Sequence, residues 1–166
     1  MAGKDAPQKL FRIGMLGFGT VGSGAAKVIL ESTPPLQDKT GIEIRIHKIA
    51  VRDLKKARSV TVDKKVITSD FASVVNDPEI DIVVEVIGGI EPARTLILQA
   101  LKNGKAVVTA NKALLATHGK ELFEAALANG TSIGFEAAVC GGVPVIGAVR
   151  DGLREIGVWP KLANGA

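Results

Sequence analysis

The sequence predicts an α/β fold: a doubly wound, mostly parallel sheet with helices on both faces. Three observations carry that prediction. Short apolar runs alternate with segments of helical spacing, and strand-helix alternation forces crossover connections that leave neighbouring strands parallel. The runs IDIVVEVIGG and KAVVTA are apolar along nearly their whole length, as strands buried on both faces are. A chain of 166 residues, 46% apolar and with 19 glycines, suffices for one such domain with a full core and leaves little room for two.

Each element follows in order. Residues 1–10 are polar and expected to be loosely ordered, and the domain proper is expected over residues 11–155. FRIGML (11–16) is a first strand, and after a glycine turn an alanine-rich helix runs to about Ser32. Pro34, Pro35 and Asp38 separate it from IEIRIHKIAV (42–51), whose alternation predicts a strand. LKKARS (54–59) is expected to form a short helix with Asp53 as its N-cap, and VITS (66–69) a third strand. FASVVND (71–77) is a short helix that Pro78 stops. IDIVVEVIGG (80–89) is the fourth strand, and EPARTLILQALKNG (91–104) a helix with Pro92 in its first turn and Gly104 at its C-terminal cap. KAVVTA (105–110), KELFEAALANG (120–130), SIGFEAAV (132–139) and PVIGAVRDGL (144–153) predict strand, helix, strand and helix. Residues 156–166 are expected to be a truncated connection or tail.

Composition narrows the function classes. The formal charge of +4 arises from cations dispersed among acids, which is a solvated surface and no footprint for nucleic acid. No apolar run reaches the ~18 residues of a membrane helix, and MAGKDAPQKL has no apolar stretch of a signal peptide, so a cytoplasmic location is expected. The lone Cys140 suits a reducing compartment; it has no histidine beside it in sequence and is expected to be a small packing residue. His47, inside a strand, and His118, expected in a loop, lack a third metal-type residue at useful spacing and are expected to be structural or solvated.

In a parallel sheet ligands bind beyond the carboxyl ends of the strands, so the loops there carry the chemistry. The first, GFGTVG, sets Gly17, Phe18, Gly19, Thr20, Val21 and Gly22 between strand and helix as G-x-G-x-x-G. Its first glycine allows the turn, the second lets backbone amides approach a pyrophosphate, and the third lets helix and strand pack closely, so a dinucleotide site of Rossmann type is expected. At the second strand end stand Arg52 and Asp53: the guanidinium suits the 2′-phosphate of NADP, the carboxylate a ribose hydroxyl of NAD. Arg52 as an ordinary surface charge is the competing reading. Glu85 is a carboxylate in an otherwise apolar strand, either facing the ligand cleft or paired structurally, and Gly88 and Gly89 are expected to let cofactor lie close to the backbone. Lys112, where the fifth strand runs out, is by its residue type alone a lysine opening the next helix with its ammonium in water.

Taken together, GFGTVG, VVEVIGG, VVTANKALLA and FEAAVCGGVPVI resemble the cofactor-binding domain of homoserine dehydrogenases over residues 12–153. The resemblance implies NAD(P)-dependent interconversion of L-homoserine and aspartate 4-semialdehyde, on the route to threonine and methionine, by enzymes whose full-length forms are homo-oligomers. It implies that Lys112 reaches the cleft between nicotinamide and substrate, holds the reacting oxygen and passes a proton. It also implies that Asn111 fixes the turn, that Thr109 contacts cofactor, and that main-chain oxygens of Glu136, Val139, Gly141 and Val143 hold a sodium-type cation. Members of that family continue into a substrate and dimerisation domain with a second catalytic lysine, whereas REIGVWPKLANGA closes this chain. Two classes of function therefore stand: the cofactor half of an oxidoreductase, expected to bind NADP(H) without efficient turnover, and a non-catalytic NADP-binding or interaction module. A relative of aspartate-semialdehyde or dihydrodipicolinate reductases is disfavoured by ANK and GGVP.

Overall fold

The computed structural model describes residues 9–139, 141 and 143–155. Strand β1 (Lys9–Leu16) is followed by α1 (Thr20–Thr40), β2 (Ile42–Ala50), β3 (Ile67–Thr68), α2 (Ala72–Val75), β4 (Ile82–Glu85), α3 (Ala93–Lys102), β5 (Ala106–Thr109), α4 (Lys112–Ala128), β6 (Ile133–Gly134), α5 (Glu136–Val139) and α6 (Val145–Glu155). The six strands form one sheet in the order β3-β2-β1-β4-β5-β6, with every pairing parallel. The order reverses between β1 and β4, and that reversal opens the crevice in which sheets of this kind bind ligands.

Side chains of successive strand residues point to opposite faces, and here they build two cores. Met15, Ile49 and Val84 pack with Phe18 and Ala26 on the α1 side. Their neighbours Leu16, Ala50 and Val83 pack on the other side with Val74, Leu96, Ile97, Leu101, Leu114 and Leu122 from α2, α3 and α4. The expected doubly wound sheet with helices on both faces is the fold observed.

Several boundaries depart from the sequence expectations. Strand β1 starts at Lys9, inside the segment expected to be loose, because Lys9 N–H bonds the Gly41 carbonyl at 3.1 Å and its ammonium lies 4.8 Å from the Phe11 ring centre. Helix α1 runs through Pro34 and Pro35 and ends at Gly41, whose φ of 71° is left-handed. The carbonyls the prolines leave without an N–H donor belong to Leu30 and Glu31, both exposed residues. Thr33 Oγ1 stitches the same turn by donating to the carbonyls of Ile29 (2.7 Å) and Ile44 (2.9 Å).

LKKARS forms no helix. The Asp53 carboxylate accepts the Lys55 N–H at 2.8 Å, an Asx turn that competes with a helical start, and Arg58 donates to the carbonyls of Asp53 and Lys56 at 2.6 and 2.8 Å. Helix α4 begins at Lys112, well before KELFEAALANG, so His118 lies on a helix and not in a loop. SIGFEAAV is strand only at Ile133–Gly134, and EAAV is a helical turn. The expectations for residues 1–8, Cys140 and residues 156–166 lie outside the described residues. Among the described residues no helix is long and apolar enough to cross a membrane.

Candidate functional site

The three motif glycines are each required for a different reason. Gly17 sits at φ 106°, donates its N–H to the Ala50 carbonyl at 2.9 Å, and a Cβ there would lie 2.9 Å from the Val86 carbonyl oxygen. At Gly22 a Cβ would come within 2.5 Å of the Gly17 carbonyl oxygen, so a side chain is excluded by the packing of turn on helix. Gly19 faces open space, with nothing within 4 Å of a Cβ built there. Its lack of a side chain serves nothing inside the protein, while the exposed start of α1 at Gly19, Thr20 and Val21 presents amide groups and the positive end of a helix.

On the β2 side of this turn lies a cavity of about 400 Å³ walled by Gly17, Phe18, Gly19, Arg52, Lys56 and Arg58 among others. Three cations thus converge beside the glycine turn, with the Asp53 carboxylate in the same wall. Arg58 is held by the two carbonyls named above and lies 5.6 Å from the Phe18 ring centre, yet its Nε is buried without a hydrogen-bond partner among the described residues. An orphaned buried N–H costs stability and marks a place where an acceptor is wanted. Sequence patterning does not single out Lys56 and Arg58, because LKKARS reads as a helix; as a folded-back loop it returns both residues to the strand end. Phe18 is itself buried in the α1-side core, so its part is to carry Arg58 on its ring face.

On the β4 and β5 side lies a second cavity, about 180 Å³, walled by Val21, Glu85, Val86, Ile87, Gly88, Ala110 and Asn111. Glu85 is fully buried and wholly partnered: Oε1 accepts the N–H groups of Ile87 (2.9 Å) and Gly88 (3.1 Å), and Oε2 accepts the Thr109 hydroxyl (2.6 Å). Thr109 is fully buried too, and its Oγ1 accepts the Asn111 N–H at 3.0 Å. Asn111 Oδ1 caps α4 by accepting the Leu114 N–H at 3.2 Å, and Nδ2 donates to the Gly89 carbonyl at 2.6 Å. Asn111 therefore fixes the turn, as expected. Gly88 and Gly89 both adopt positive φ, 71° and 76°, and both are exposed. Lys112 is the first residue of α4, exposed and next in the chain to Asn111 of this cavity's wall, with no hydrogen bond or ion pair at its ammonium among the described residues.

The four residues expected to hold a cation fall in one short segment. Glu136 and Val139 bound the helical turn α5, and Gly141 reverses the chain at φ 58°. The Glu136 carboxylate accepts the N–H groups of Ile146 (2.9 Å) and Gly147 (3.3 Å) at the start of α6. A four-residue helix leaves terminal carbonyls without intrahelical donors, a donor set that fits a hard cation.

His47 is the extra residue of a bulge in β2: Ile13 pairs with Ile46 and Gly14 with Lys48. Its Nε2 lies 3.5 Å from Asp77 and 3.7 Å from Glu79, which supply the acids the sequence spacing hid. The Lys48 ammonium sits 2.6 Å from the same Asp77 oxygen, and Arg12 lies 4.0 Å from Glu79, so both acids already face cations. The Lys48 hydrogen bond, before all else, holds the Asp77 carboxyl below the usual range. His118 lies 3.6 Å from Glu121, which Arg94 binds through two hydrogen bonds from α3. A larger hollow, about 960 Å³, opens at the amino ends of β1, β4 and β5 around Phe11, Ile82 and Ala106. Size does not make it the site, since parallel sheets bind at the opposite end, where the glycine turn and the cations lie.

The comparisons with known proteins agree with this geometry. The model of the homoserine dehydrogenase NAD-binding domain family matches residues 17–136. The chain is 44% identical over 147 residues to homoserine dehydrogenase of Bacillus subtilis and 46% identical over 146 residues to that of Helicobacter pylori. It covers 34% of each, so it spans about a third of the length of these relatives, while 89% and 88% of its own residues are matched. A crystal structure of a homoserine dehydrogenase from Thiobacillus denitrificans superposes with a TM-score of 0.83 at 49% identity, covering 90% of this chain and 34% of that one. A hyperthermophilic archaeal homoserine dehydrogenase in complex with NADPH superposes at 0.70 with 28% identity, covering 86% and 48%. The matched stretch runs from the glycine turn through every strand-end loop of the site to Glu136, and the chain belongs to the family of homoserine dehydrogenase NAD-binding domains.

Proposed function

We propose that residues 11–155 are the NADP(H)-binding domain of a homoserine dehydrogenase, which interconverts L-homoserine and aspartate 4-semialdehyde. The observation that carries the reading is Gly19: a glycine with free space where its side chain would be, at the strand-order reversal, beside a cavity walled by three cations. The adenosine half lies on the β2 side, with Arg52, Lys56 and Arg58 around the 2′-phosphate, and the nicotinamide half on the β4 and β5 side. The archaeal relative's NADPH complex supports the phosphorylated cofactor.

When bound, the cofactor supplies or accepts the hydride. What the chain itself contributes is placement and one proton-bearing group. The amides after Gly17 receive the pyrophosphate, and Gly88 and Gly89 keep the wall low enough for close approach. Lys112 holds the substrate oxygen as an ammonium and exchanges a proton with it as the adjacent carbon gains or loses hydride. Main-chain oxygens of Glu136, Val139, Gly141 and Val143 would hold a sodium-type cation that braces the last loop.

Isothermal titration with NADPH and NADH tests the proposal. Charge-assisted hydrogen bonds to the 2′-phosphate are worth about 1.5–3 kcal/mol, so NADPH is expected to bind roughly ten times more tightly or better. Arg52→Ala is expected to remove most of the difference, and added salt to shrink it. Failure to bind either nucleotide in a folded sample refutes the reading; equal affinity refutes the cation assignment alone.

A further inference from the structure

We infer that Glu85 is a positioning residue for the nicotinamide half of the site, an assignment that rests on the dinucleotide reading above and adds to it a group that touches neither cofactor nor substrate. The carboxylate is fully buried, and the groups its oxygens bind are all neutral donors: two main-chain N–H groups from the loop after β4 and the hydroxyl of Thr109 at the end of β5. Three donors converging on one buried side chain require a group that accepts at both oxygens and need not donate, which among side chains means a carboxylate. A glutamine presents one carbonyl oxygen to the two N–H groups and turns an NH₂ toward Thr109, whose hydroxyl must then rotate to accept where it had donated.

What the carboxylate holds is the wall of the smaller cavity. Gly88, one of its donors, is the first of two consecutive left-handed glycines, and the second is tied through its carbonyl to Asn111. Thr109, its third partner, takes the Asn111 N–H, and Asn111 caps the helix that Lys112 opens. Glu85 thus locks the β4 loop, the β5 turn and the first residue of α4 into one body, and of the residues it binds only Ile87 also borders the cavity of Arg52 and Arg58, whose cations lie across the glycine turn. Its loss slackens chiefly the half walled by Gly88, Ala110 and Asn111, while Arg52, Lys56 and Arg58 keep their places on the β2 side.

The test compares two probes on the same chain: NADPH, which occupies both halves, and adenosine 2′,5′-bisphosphate, which occupies the cationic half alone. Glu85→Gln is expected to weaken NADPH about tenfold and to change the bisphosphate affinity less than about twofold. Thr109→Val, of nearly the same shape but without the hydroxyl, is expected to give the same selective loss in smaller measure, and it carries the test if Glu85→Gln fails to fold. A structural role alone predicts equal losses for both probes. Equal losses, or none, overturn the inference while leaving the dinucleotide reading intact. Binding of neither probe by the unaltered chain overturns that reading, and the inference with it.

Discussion

Gly19 and Gly22 look alike in the motif and differ in the structure, which separates binding from folding at single positions. A side chain at Gly22 drives into the Gly17 carbonyl at 2.5 Å, so Gly22→Ala is expected to lower the thermal midpoint markedly and to weaken NADPH only as the fold loosens. A side chain at Gly19 meets nothing, so Gly19→Val is expected to leave the midpoint within a few degrees of the parent while abolishing measurable NADPH binding. A midpoint scan beside a titration for each variant checks both. The motif spacing was legible from residue types because it encodes backbone demands. Arg58 was not, since its value depends on a loop folding back so that a guanidinium settles on Phe18 with a bare Nε, and no local pattern announces that. Glu85 could be read only as an oddity: the residue type says that a buried carboxylate needs partners, and only the paired ends of β4 and β5 say that Thr109 is one.

Elements were legible where their periodicity was long and undisturbed, as in β4 and α3, and misread where one residue's local preference met a tertiary constraint. Pro34 and Pro35 argue for a break, yet α1 persists because it lies against β2 and its orphaned carbonyls belong to exposed residues. The ion-pair network that joins β2 to the segment after α2 is of the same tertiary kind. Asp77 accepts from Lys48 in β2 and from its own neighbour Glu79, and the Lys48 contact, more than any other cause, depresses its carboxyl. A carboxylate whose folded pKa lies below its unfolded value contributes stability that is present above the unfolded value and lost as the pH falls through the folded one. Asp77→Asn is therefore expected to reduce stability by about 1.5–3 kcal/mol at neutral pH, from the loss of a charge-assisted hydrogen bond, and to reduce it little once the carboxyl is protonated. Denaturant titrations at pH 7 and near pH 3 check this: a deficit that persists undiminished in acid contradicts the charge account.

At the scale of the whole molecule the two halves of the proposed function separate, because the described residues build a binding crevice and no enclosure over it. The walls of both cavities come from the carboxyl ends of the strands of one sheet and from the loops and the helix start that follow them, and the relatives whose names state an activity are about three times as long as the stretch that matches. Binding needs only the walls. A nucleotide that binds the folded state alone stabilises it by about 2.7 kcal/mol at a concentration one hundred times its Kd, so NADPH at that level is expected to raise the thermal midpoint of the 166-residue chain by several degrees. Turnover needs the substrate carbon held in line with the nicotinamide and shielded from water, a positioning contribution on the order of 7–11 kcal/mol. Lys112 is exposed and has no described partner to aim it, so it can supply a proton but not that placement. L-homoserine added to the chain with NADP is therefore expected to leave the midpoint unchanged and to yield no NADPH absorbance above the uncatalysed rate. Steady NADPH formation would show that the crevice alone orients the substrate. A midpoint unmoved by NADPH itself would strike at the site, since it would mean that the glycine turn and the three cations do not hold the nucleotide for which their geometry argues.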